Sequence, residues 1–93
     1  MGAIERDLSG RAAESLVEIA DLEVRPMFSG FGFYVGDLLT AAAWDGAFRL
    51  RHREDGRWIY RPVANSALDD PSLLVPLVRD RAAQLRLETS TSY

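Results

Sequence analysis

Five arginines fall within residues 49–61, at Arg49, Arg51, Arg53, Arg57 and Arg61, interleaved with Trp58 and Tyr60. On a β-strand every second side chain shares a face. The spacing therefore gathers Arg49, Arg51 and Arg53 beside Trp58 and Tyr60, with Trp44 and Phe33 extending the set. The chemistry such a face offers is binding rather than bond-making. Guanidinium planes stack on aromatic rings and bridge carboxylates or phosphates through paired N–H groups. Residues 49–61 hold five arginines against two acids, a local charge of +3, which leaves −6 for the rest of a chain whose total is −3.

Groups that make or break bonds are scarce. Cysteine is absent, which excludes disulfides, thiol catalysis and cysteine metal sites. His52 is the single histidine, and strand parity sends it to the core side, where it reads as a structural residue rather than a ligand or base. Ser29 lies in a glycine-rich bend without the nucleophile-elbow pattern. Asp69 and Asp70 read as helix-capping residues. Gly30, Gly32 and Gly36 are followed by no helix that would receive a phosphate. Neither enzymatic activity, a metal nor a cofactor is expected.

The elements that must position the arginine face follow from length and pattern. Ninety-three residues suit one domain, with an ordered core over about 4–87 and a polar tail at 88–93. Ile4, Leu8, Ala12, Leu16 and Ile19 line one side of a helix that is firmest over 11–20. Residues 24–28, 31–35, 38–44, 48–53 and 57–63 read as strands, joined in part by the two-residue turn signals Gly36-Asp37, Asp45-Gly46 and Asp55-Gly56. A closing helix is capped by Asp70 with Pro71 at its first position, carries Leu73, Leu74, Leu77, Val78, Ala82 and Leu85 as its stripe, and is kinked by Pro76. The fold class predicted is α+β: two layers, an antiparallel meander of four or five strands flanked by an N-terminal and a C-terminal helix. If no bulge intervenes, Phe48, Leu50, His52, Ile59 and Val63 join Leu39, Ala41 and Ala43 on the core face, and Arg61 falls awkwardly on that side. Met27 and Phe28 divide between the two faces. No apolar run is long enough to span a membrane, and the charged start lacks a secretion signal, so a cytoplasmic location is expected.

From Arg25 to Tyr34 the chain resembles the TfoX/Sxy N-terminal domain family, whose hallmark is roughly R-x-M-F-G-G-x-G-x-Y. Met27, Phe28, Gly30, Gly32 and Tyr34 match, and Ser29 replaces one glycine. Tyr60, Val63, Leu68, Asp70 and Pro71 keep the register of a second family stretch, with Ala64 where proline is usual. The resemblance covers about residues 20–87. It departs at Asp55-Gly56, where the family inserts a short helical segment, and it stops before the family's C-terminal helical domain. It implies a secretion-chaperone-like α+β fold and a non-catalytic role. Full-length members regulate DNA-uptake competence together with the cyclic-AMP receptor protein.

One reading of the arginine face is a solvated outer surface whose aromatic rings are shielded by stacked guanidinium groups; two uses of it follow as further expectations. The first is a regulatory interaction with a protein partner or a second copy. The second, not favoured by an acidic chain, is direct nucleic-acid binding through the hairpin at 49–61.

Overall fold

Each of two tight turns sets a strand register. Asp45 (φ 51°) and Gly46 (φ 76°), like Asp55 (φ 51°) and Gly56 (φ 75°), occupy the left-handed region at both central positions. That is the geometry whose twist matches two antiparallel strands, and Asp-Gly tolerates it. The structure, a computed structural model, describes residues 2–27 and 29–90. It contains α1 (Ala3–Ser15), β1 (Leu22–Met27), β2 (Gly30–Val35), β3 (Leu38–Trp44), β4 (Ala47–Glu54), β5 (Arg57–Pro62), α2 (Asn65–Leu68) and α3 (Pro71–Ser90). The strands form one antiparallel sheet in the order β1-β2-β3-β4-β5. This is the α+β two-layer meander expected from the sequence.

The helices α1 and α3 pack against one face of the sheet, over its central strands. Leu8, Ala12 and Leu16 meet Phe33, Ala41, Ala43, Phe48 and Leu50 across the interface, with Leu74, Val75, Val78 and Ala82 from α3. Phe33 and Phe48 stand at its centre, edge to face, with ring centroids 5.1 Å apart. No described helix is long and apolar enough to cross a membrane.

Several boundaries differ from expectation. The first helix stops at Ser15 rather than running to 20. Leu16 leaves the helical region, and a turn carried by bonds from Ile19 N to Leu16 O and from Leu22 N to Ile19 O still drops Leu16 and Ile19 into the core. An amphipathic spacing of four and three thus continued past the helix that it seemed to define. Ile4 and Val17 face solvent. The first strand begins at Leu22, not 24, and Phe28 lies outside the described residues. The closing helix extends through 88–90, so the expected tail is helical there, and residues 91–93 lie outside the described part. It also runs on through Pro76, and its buried stripe uses Val75 while Leu73 and Leu77 are exposed. The short helix α2, absent from the sequence reading, puts Ala67 and Leu68 into the core.

Asp70 performs the capping expected of it. Its Oδ1 accepts from the Ser72 backbone N–H at 3.1 Å and from the Ser72 hydroxyl at 2.6 Å. Asp69 does not cap. It takes the Arg11 guanidinium in a two-point contact, at 3.1 and 2.8 Å, that ties the segment before α3 to α1. The hydrogen bond from Arg11, reinforced by its charge, holds the Asp69 carboxyl below its ordinary range.

Candidate interaction face

The hairpin of β4 and β5 pairs Arg53 with Trp58, Arg51 with Tyr60 and Arg49 with Pro62. Phe48 and Leu50, one residue out of phase, are buried against the helices. Alternation therefore places Arg49, Arg51, Arg53, Trp58 and Tyr60 together on the opposite face. Trp44 joins them, with its ring 6.2 Å from that of Tyr60. Both indoles stay accessible, Trp44 at 38% and Trp58 at 40%. The helices pack on the other side of the sheet, so among the described residues no helix covers this one.

Two members of the expected arrangement change sides. Phe33 does not extend the aromatic set; it is fully buried beside Phe48. Leu39 does not belong to the core face. The β2–β3 register slips, so that Phe33 pairs with Ala41 while Tyr34 pairs with Leu39. Thr40 is the extra residue, and a bulge of this kind turns the following part of the strand over. Leu39 then shares the outer face with Gly32 and Tyr34, where its Cδ1 lies 3.1 Å from the point a Gly32 Cβ would occupy. Met27 lies on that face too, its sulfur 3.3 Å from the same point. Arg61, on the helix-side face, lies where the helices no longer cover the sheet. It pairs with Glu54 at 2.8 and 2.7 Å and remains exposed.

The aromatic faces are already occupied by cations. Arg51 lies over Trp58 at 3.5 Å and Arg53 over the same ring at 4.6 Å. Arg25 covers Tyr34 at 4.4 Å, and Arg49 sits 5.8 Å from Trp44. Much of the donor capacity is directed inward, which strand parity alone does not reveal. Arg49 donates to the carbonyls of Trp44 (3.0 Å), Asp45 (3.1 Å) and Tyr60 (3.5 Å). The β3–β4 ladder ends at Ala41 and Leu50; just beyond it, Arg51 Nη1 donates to the Leu39 carbonyl at 3.0 Å. Arg51 is thus part of the structure of the sheet as well as of its surface, and its buried Nε has no hydrogen-bond partner.

The other candidate groups are dispersed. Ser29 is at the turn before β2, at the end of the sheet that also holds the Asp45-Gly46 turn. His52 is five residues along β4 from Ala47, about 16–17 Å at the rise of a strand. His52 Nδ1 accepts from Arg81 Nη1, since a guanidinium has no lone pair to offer. The two line a recess of about 190 Å³ with Leu50, Leu77, Asp80 and Gln84. A second recess, of about 380 Å³, surrounds the Arg11–Asp69 pair. Among the described residues no three His, Asp or Glu side chains gather to hold a metal ion.

Burial, followed by the charges of Arg81 and Arg61, holds the His52 pKa below its ordinary value, against smaller opposing effects of Glu54 and Glu88. Protonation would also remove the acceptor that Arg81 uses. The unfolded chain takes up this proton near pH 6.5 and the folded chain only at lower pH. Stability is therefore expected to fall as pH drops from about 6.5 through the folded pKa, and His52→Gln is expected to flatten that decline. Urea midpoints measured between about pH 7 and pH 5, above most carboxylate titration, isolate this single histidine. Equal slopes in the two proteins would refute the assignment.

Comparison with protein-family models, curated proteins and solved structures finds no match for this chain. The class that fold and site define is a two-layer α+β domain with one open, arginine-rich and aromatic sheet face.

Proposed function

We propose that this chain is a non-catalytic interaction domain of the TfoX N-terminal type that docks a regulatory partner on its open sheet face. The observation that carries the reading is the pair of exposed indoles, Trp44 and Trp58, beneath ordered guanidinium groups on a face that no described helix covers. Aromatic and arginine side chains are the types enriched where proteins bury surface against one another. The edges are less suited to docking. Both outer strands carry a proline, Pro26 in β1 and Pro62 in β5, which supplies no N–H to an added strand.

Arg53→Glu is expected to abolish recovery of the partner from extracts of the source cells, because it reverses charge on the face beside Trp58. Arg79→Glu, on α3, is expected to leave recovery intact. Equal loss from both variants, or from neither, would count against the sheet face as the docking site.

Direct nucleic-acid binding is the second reading, favoured by one observation: Arg51 and Arg53 have no carboxylate within 4.0 Å among the described residues. Stacked bases would first have to displace the guanidinium groups from Trp58 and Tyr34. If phosphates are bound, log affinity falls linearly with log salt, and each arginine removed lowers the slope by about one.

A further inference from the structure

The arginines of the outer face divide into two kinds. Arg25 is neutralised by Glu23 at 2.8 Å, and Arg49 lies 3.9 Å from Asp45 while donating to three carbonyls. Among the described residues no carboxylate lies within 4.0 Å of Arg51 or Arg53, and both guanidinium groups rest against the Trp58 ring, at 3.5 and 4.6 Å from its centre. An ordered, uncompensated guanidinium is a ready receptor for a carboxylate, since little side-chain freedom remains to be lost on binding.

The two arginines sit two residues apart on one strand, so their backbone positions are about 7 Å apart, and both guanidinium groups converge on the Trp58 ring. An extended peptide repeats its own alternate side chains at the same distance. Strand positions on this face carry a single acid, Glu23, and it is already paired. Resting on the interaction reading above, we infer that the outer sheet face binds an extended acidic segment of another protein, with carboxylates at alternate positions meeting Arg51 and Arg53. A second copy of this chain is a poor occupant. Sheet-to-sheet pairing would set Arg51 and Arg53 of each copy against like charge. A nucleic-acid strand matches the charge but would first have to displace the guanidinium groups that cover the Trp58 ring.

The experiment follows Trp58 emission in a Trp44→Phe background. The probes are a blocked peptide alternating glutamate and alanine, the same peptide with glutamine for glutamate, and a thymidine oligonucleotide of equal length. The acidic peptide is expected to give saturable binding that the glutamine peptide lacks. Arg53→Gln is expected to weaken it about tenfold, and raising salt from about 0.02 to about 0.3 M several-fold more. The Arg53 side chain makes no hydrogen bond to the described residues, so its variant tests the face without loosening the fold; Arg51→Gln provides the second arm. Arg53-dependent binding that is tighter for the oligonucleotide overturns the acidic segment and leaves the face as a binding site. Acidic-peptide binding indifferent to both arginines removes the face itself. Absence of saturable binding by every probe overturns the inference.

Discussion

A Phe48→Ala variant is expected to lose about 3–5 kcal/mol of stability. Phe48 is fully buried and meets Phe33 edge to face at 86°, the arrangement in which aromatic quadrupoles attract. Truncation removes the transfer free energy of the ring, leaves a cavity that helices and sheet close only in part, and forfeits roughly 0.5–1.5 kcal/mol from the aromatic pair. A domain of this size holds only about 5–14 kcal/mol in total, so the variant stands close to unfolding. Phe48→Leu, which keeps most of the volume, is expected to cost about 1–1.5 kcal/mol. Urea denaturation of the three proteins measures both differences. A cost below about 1 kcal/mol for the alanine variant would show that the helix–sheet interface is not centred on this ring. The effect reaches the candidate face too, since Arg49 neighbours Phe48 on the same strand.

Gly30→Ala is expected to cost about 2–4 kcal/mol through a different mechanism. A methyl group at Gly30 would lie 2.0 Å from the Ala43 carbonyl oxygen and 3.3 Å from the Trp44 Cα. Both obstacles are backbone of β3, so no side-chain rotation relieves the clash, and β2 must separate from β3 at the end nearest the indole of Trp44. Gly10→Ala supplies the control. Nothing lies within 4 Å of the added carbon there, and the site is inside α1. That variant is expected to be stabilised by up to about 1 kcal/mol through helix propensity. Thermal melts of both variants check the contrast. Tolerance of alanine at Gly30 would mean that the two strands approach less closely than the structure places them.

The likeness in outcome between Asp45-Gly46 and Asp55-Gly56 shows why so much of the sheet was legible. A two-residue turn with both central residues in the left-handed region permits one register. Strand periodicity then assigns every side chain of β4 and β5 to a face without further information. The grouping of Arg49, Arg51, Arg53, Trp58 and Tyr60, and the burial of Phe48 and Leu50, follow from those two local facts. Gly30 and Gly32 both match the family pattern, and at Gly30 the nearby β3 backbone is what excludes a side chain.

Thr40 marks where local reasoning stops. Its insertion opposite β2 depends on how two strands fit one another, and a single-residue slip sends Leu39 outward and leaves Phe33 inside. The end of α1 at Ser15 and the partnership of Arg11 with Asp69 likewise depend on packing between segments distant in sequence. So does the direction of the arginine donors. Composition and spacing determined that this protein has an antiparallel sheet with cations and aromatic rings on one side, because turn dihedrals and strand parity are properties of adjacent residues. How the guanidinium groups are shared between main-chain carbonyls and the Trp58 ring, with Arg51 engaged by both, was decided only by the tertiary structure, because a long flexible side chain takes its direction from the atoms that the fold brings within its reach.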